Sequence, residues 1–249
     1  MVERVGSVIA DGRAATAFLT RLPVYRAAPG GSLDGIVLWF PAVGWGIGAA
    51  TGGVAIGVGS RAGWMVGAAT AVAFAVALTG ALHVDGLADT TDALGATTRE
   101  DALRIMRDSR IGAYGAVAIA ASLLLRVSTI GRLAQASQWL EIAAAAALGR
   151  AAPVAASGWL GYARSGSGVG QLLTGTRPRA RAGLVGLIAV GLASLSSGLG
   201  GAEAALVAAG VCAACVWQLR RWLGGLTGDA AGATVELTEI AVLVFFCVR

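Results

Sequence analysis

The sequence predicts an all-α fold, a polytopic integral membrane helix bundle of about seven transmembrane helices plus an N-terminal interfacial amphipathic helix. Three observations predict it. Of the residues, 56% are hydrophobic and 13% charged, with a mean hydropathy of +0.74, too apolar and too weakly charged for an ordinary soluble domain. The apolar residues fall into runs long enough to cross a hydrocarbon core of about 30 Å. The arginines gather in alternate connections, as a fixed membrane topology requires. The chain, 1–249, reads as a single membrane domain.

Residues 1–34 mix Arg4, Arg13, Arg21 and Arg26 with apolar positions at loose helical spacing up to Pro23, and are expected on the membrane surface. Residues 36–59 and 62–82 carry no charge and make the first two spans. Gly44, Gly48 and Gly52 share one face, as do Gly59, Gly63 and Gly67, a spacing that lets helices pack closely. These glycines are not a dinucleotide loop, because no strand precedes them. Residues 111–131 form a third span, with Arg126 near its far end, where it is expected to snorkel.

Residues 140–162 form the fourth span, interrupted by Arg150. An arginine at that depth costs at least about 2.5 kcal/mol and faces protein, so a buried ion pair and a phosphate contact are equally open. Residues 162–181 are a polar, glycine-rich loop with four arginines, suited to an anionic ligand or to anionic lipid. Residues 182–202 and 204–219 are the fifth and sixth spans. The last span must start near Ala230, which puts Glu236 and Glu239 on one face roughly 9 to 14 Å along it. Carboxylates there need a polar partner, either Arg150 or a metal. Cys212 and Cys215 form one C-x-x-C in an apolar run, a weak metal or redox signal. They and Cys247 are read as small core side chains. Trp39, Trp45, Trp159 and Tyr162 either line a pocket or anchor span ends at the interface.

The stretch 83–115 carries six of the fourteen acidic residues: Asp85, Asp89, Asp92, Glu100, Asp101 and Asp108. On a helix, Asp85, Asp89 and Asp92 project from one face, where like charges repel. A hard divalent cation such as magnesium, calcium or manganese offsets such a stripe, and oxygen ligands suit it. The plainer alternative is a solvated acidic helix end. Across seven spans, fourteen arginines fall on one side, Arg61, Arg132 and Arg249 on the other. The arginine-rich side is expected to be cytoplasmic, and it holds the acidic stretch 83–112 and the loop 220–234 with Asp229. The +5 net charge is therefore topological information and not a sign of nucleic-acid binding.

Carboxylates able to hold magnesium, set among arginines at a membrane surface, suit phosphoryl transfer. Enzymes that displace a nucleoside monophosphate from a nucleotide-activated alcohol use such parts. Their full signature is missing here, since no Ala-Arg pair follows Asp85-Gly86 and Asp89 arrives too early. The segments HVDGLADTTDALG, IMRDSRIGAYG and GGLTGDAAGATVELTE, in that order, resemble the adenosylcobinamide-GDP ribazoletransferase (cobalamin synthase) family. TRLPV, FPAVGWGIG and YAR resemble it too, while Ala93 and Arg107 stand where that family commonly has glycine and lysine.

The resemblance implies a magnesium-dependent enzyme of the cytoplasmic membrane. It implies joining of adenosylcobinamide-GDP to alpha-ribazole, or its 5'-phosphate, to give adenosylcobalamin, or its 5'-phosphate, and GMP. Under it, Asp85, Asp89, Asp92 and Asp229 would hold magnesium, and Asp108 or one of the cluster carboxylates, Asp85 among them, would be the general base. Arg107, Arg110 and Arg150 would contact phosphate, with Glu236 and Glu239 on the substrate side. His83, the only histidine, would orient a phosphate or the base, or else cap a helix. The expected partners are the two substrates and the lipid bilayer, with a homo-oligomer and other late cobalamin-assembly enzymes left open. The rival readings are a lipid-directed CDP-alcohol phosphotransferase, an ion-coupled transporter using Arg150, Glu236 and Glu239, and a silent assembly scaffold. A Ser-His-Asp hydrolase is excluded by the lack of a G-x-S-x-G elbow.

Overall fold

The computed structural model describes residues 2–24, 33–164, 169–174 and 178–249. Arg26, Arg177, the side chain of Arg4 and residues 165–168 of the glycine-rich loop lie outside them. The described chain is helical: α1 (Val2–Leu19), α2 (Leu33–Leu38), α3 (Phe40–Ala62), α4 (Trp64–Thr79), α5 (Leu82–Asp92), α6 (Arg99–Ile105), α7 (Ala113–Gln135), α8 (Trp139–Ser157), α9 (Pro178–Ser197), α10 (Leu199–Trp222) and α11 (Gly228–Val248). By length and hydropathy α3, α7, α8, α9, α10 and α11 can each cross a membrane, and α4 with α5 adds a seventh crossing if the bent pair is one span. The expected bundle is therefore present.

The core sits around α8, whose sequence is mostly alanine and of whose spanning window 83% is buried. Side chains this small let α3, α9, α10 and α11 all pack against it. On α3, a side chain at Gly44 or Gly48 would strike the α8 backbone carbonyls of Ala146 or Ile142 at 2.6 Å. The glycine stripe read from the sequence is thus the α3–α8 contact. The N-terminal segment ends its helix at Leu19, before Pro23, and stacks Phe18 on Phe40 with ring centroids 5.5 Å apart. Its last turn is a wall of the bundle as well as a surface helix, with Leu19 only 1% exposed.

The fourth span departs from its expected bounds by ending at Ser157, so that Gly161–Tyr162 is free to pair with another loop. Cys212 and Cys215 are free thiols on α10, without a disulfide.

Candidate functional site

Between α4 and α5 the chain turns by 88°. Gly80 and Ala81 make the corner, both in the left-handed region with φ of 63° and 60°. Glycine reaches this region freely, whereas Ala81 is strained there and is held by its surroundings. The turn lays α5 across the end of the bundle, where it packs on α11 and α7. Close approach of α5 to α11 requires Gly86 and Gly232: a Cβ at Gly86 would stand 2.6 Å from the Asp229 carbonyl oxygen, and one at Gly232 3.3 Å from the Gly86 Cα. This crossing brings Asp85 beside Asp229, 144 positions later in the chain.

Two further loops meet at the same end. Tyr162 and Leu226 form a parallel bridge, with Leu226 N donating to Gly161 O at 2.8 Å and Ala163 N to Leu226 O at 3.0 Å. Arg99 ties both strands of this contact, donating to Leu223 O at 2.7 Å and to Ala163 O at 2.6 Å. Arg164 is thereby delivered to Asp229, which it meets at 2.6 Å. Thr227 caps α11 by accepting from Ala230 N at 3.0 Å, so Asp229 stands in the favourable first turn of the helix.

A cavity of about 180 Å³ opens here, lined by His83, Asp85 and Gly86 from α5, Arg150 and Pro153 from α8, and Asp229 from α11, with apolar walls from α1, α3 and α11. A second, of about 440 Å³, lies between the end of α1 and the α4–α5 corner, lined by Thr20, Arg21, Thr79 and again Asp85. Asp85 is the one carboxylate common to both. His83 is 6% exposed, and burial, followed by the Arg150 and Arg126 charges, holds its pKa well below the usual value, so it is neutral.

Asp89 lies one turn beyond Asp85. Its partial burial, then the charges of Asp85, Asp229 and Asp92, push its carboxyl up to about 6, against a small opposing effect of Arg164. Negative charge is thus in excess, and the carboxylate oxygens are hard donors of the kind magnesium takes. Among the described residues no three His, Cys, Asp or Glu side chains stand at ligand spacing.

Asp92 departs from the expected stripe. Its carboxylate accepts from Gly112 N at 2.7 Å and Gly115 N at 2.8 Å, holding the start of α7. Side chains at those glycines would collide with it, so DALG and IGAYG are parts of one anchor.

Several expected substrate contacts are committed elsewhere. Arg110 donates to Asp108 through Nε at 2.9 Å and a terminal nitrogen at 2.6 Å, and this lowers the Asp108 carboxyl to about 2. In this arrangement the Asp108 carboxylate is engaged by Arg110 and lines neither cavity. Arg107 is exposed and lines neither cavity. Glu236 and Glu239 are 1% and 4% exposed and lie in an ion-pair network rather than on the cavity wall. Arg126 bonds Glu236 at 3.0 Å and Glu239 at 3.0 Å, Ser122 bonds Glu236 at 2.9 Å, and Arg150 bonds Glu239. Arg126 therefore does not snorkel: at 4% exposure it is the second cation of this network. Arg150 fulfils the ion-pair reading and also reaches the cavity. Trp39, Trp45, Trp159 and Tyr162 do not line it. Trp45 instead bonds Ser196 at 2.9 Å, and exposed Trp159 carries Arg179 over its ring. The residues not foreseen are Phe18, Arg21 and Arg99, with TRLPV the one hint at Arg21; Arg164 was foreseen only as one of the four arginines of the 162–181 loop.

The fold and site define a polytopic helical membrane protein with a carboxylate-lined centre at one end of its bundle. The chain belongs to the cobalamin-5-phosphate synthase family, whose model matches residues 11–247. An adenosylcobinamide-GDP ribazoletransferase from Azorhizobium caulinodans is 40% identical over 97% of this chain and 96% of its own length. One from Klebsiella pneumoniae strain 342 is 37% identical over 93% of this chain and 96% of its own, and one from Stutzerimonas stutzeri 41% identical over 91% and 93%. No solved structure matches.

Proposed function

We propose that the chain is itself an adenosylcobinamide-GDP ribazoletransferase, joining that donor to alpha-ribazole or its 5'-phosphate late in cobalamin biosynthesis. The observation that carries this reading is Asp85, shared by two adjoining cavities and flanked by Asp89 and Asp229. A reaction of two substrates needs a group that meets both, and Asp85 is so placed. A ribose hydroxyl of the acceptor attacks the donor phosphorus that carries the corrinoid alcohol. The P–O bond to the second phosphate breaks, its electron pair leaves with GMP, and Asp85 takes the hydroxyl proton.

Asp89 and Asp229 would hold magnesium, which binds through one or two carboxylates together with substrate phosphates and supplies neutralisation of their charge. In this mechanism Arg164 exchanges its Asp229 partner for a donor phosphate, and neutral His83 orients the acceptor. The arginine excess on this side supports placing this end of the bundle at the cytoplasmic face of the cell membrane.

The test uses purified protein in detergent with magnesium. Adenosylcobinamide-GDP with alpha-ribazole should release GMP. Release of CMP from CDP-diacylglycerol and an alcohol instead would favour the lipid-directed rival, and substrate flux into liposomes without GMP release would favour a transporter.

A further inference from the structure

The cavity of about 180 Å³ has more apolar surface than phosphate chemistry calls for: Phe18, Leu19, Phe40, Leu82, Leu173 and Val235 all line it. We propose that this cavity binds the base of the acceptor nucleoside, a fused, largely apolar aromatic bicycle with one free ring nitrogen, with the Arg150 guanidinium on its wall as the hydrogen-bond donor. The proposal rests on the transferase reading above.

Size limits the occupant. An apolar protein cavity of about 150 Å³ takes a benzene ring, and drug-sized ligands need roughly 300 to 1,000 Å³. The space therefore suits one or two fused rings and excludes a corrinoid. Polarity narrows it further. Arg150 is 2% exposed and lines the cavity, with one of its terminal nitrogens held by Glu239 and Ala146 O. A ring nitrogen that accepts one bond can meet this guanidinium. The guanine of the donor carries several donors and acceptors along one edge, more than the apolar residues of this wall can pair. Alpha-ribazole carries a base of the matching kind.

Position supplies the third argument. Asp85 and Asp229 line the same cavity, so a base seated among Phe18, Phe40 and Val235 leaves its ribose beside the carboxylates.

Filling the cavity tests the assignment. Val235→Phe and, separately, Leu173→Phe are purified in detergent, their melting temperatures recorded, and KM measured for alpha-ribazole and for adenosylcobinamide-GDP by GMP release. The expected result is an acceptor KM raised about tenfold or more, with the donor KM within about twofold. Equilibrium dialysis of alpha-ribazole without donor should show the same loss of binding. On unaltered protein, guanosine should bind at least about a hundredfold more weakly than alpha-ribazole in the same dialysis. A raised donor KM with unchanged acceptor KM would give the cavity to guanine. Unchanged values for both in a folded variant would remove it from the reaction, and equal binding of guanosine would remove the selectivity. Each of these overturns the proposal, and none bears on the carboxylate centre, which Asp85→Asn tests separately.

Discussion

Helix α11 carries acidic residues in two settings. At its first turn Asp229 neighbours Asp85 and Asp89, and Arg164 is the cation paired with this group. Two turns further in, Glu236 and Glu239 meet Arg126 and Arg150, two carboxylates against two guanidiniums, with Ser122 completing the bonds. The inner set is balanced and touches the cavity only through Arg150, whereas the outer set holds surplus negative charge open to it. A balanced buried network serves the fold, because each charge is compensated where water cannot reach. Surplus charge at a cavity mouth is a cost that only a ligand removes, which is why chemistry is assigned there and not deeper.

The largest expected effects would show the two settings failing differently. Asp85→Asn should lower kcat by about 10²- to 10⁴-fold, with an unchanged melting temperature in detergent. Collapse of the fold in that variant would move Asp85 into the structural class. Arg126→Leu should do the reverse, destabilising the protein by about 3–5 kcal/mol in thermal or denaturant unfolding because Glu236 is left uncompensated. Adding Glu236→Leu should restore much of that loss, since Glu239 keeps Arg150. No recovery in the double variant would mean the network is held by something other than charge balance.

Asp92 sits between the two settings, near the acidic group yet hydrogen-bonded like a structural residue. Asp92→Ala should cost about 1 kcal/mol of stability, the usual worth of a helix cap, and less activity than Asp85→Asn. An Asp92→Ala protein as inactive as Asp85→Asn, with its stability intact, would return Asp92 to the catalytic group.

The smallest effect concerns pH. The folded-state value of Asp89, about 6, lies above its ordinary 3.8, so the protonated carboxyl favours folding. Its contribution is complete below pH 3.8 and is lost as pH rises through about 6. After chelation, the unaltered protein should therefore gain more stability between pH 8 and pH 5 than Asp89→Asn, which should be the more stable of the two at pH 8. Equal pH slopes for the two proteins in detergent melting would contradict the surplus charge.

Much of this comparison was legible in the sequence. Spacing put Asp85 and Asp89 on one face, and alternation of the arginines put Asp229 at the same end of the bundle. Glu236 and Glu239 were visibly too deep to be left unpaired. One partner, Arg150, was legible and does meet Glu239; the other was hidden, because Arg126 looks like a snorkelling residue when only its own run is read. The stripe likewise overreached at Asp92, since nothing local shows that Gly112 and Gly115 return to it.

The sequence by itself determined the all-helical class, the run of spans, the side on which charge collects and the family. Hydropathy and helical periodicity are properties of neighbouring residues, and neither needs a partner. Tertiary structure alone decided which charges meet: Arg126 finds Glu236 across 110 positions and Arg164 finds Asp229 across 65. Those meetings depend on how closely helices cross, as where Gly86 lies on Gly232, and on loops zipped through Tyr162 and Leu226. An ion pair is a short-range event between groups the chain brings together only by packing, so the division between structural and functional carboxylates exists only in the folded protein.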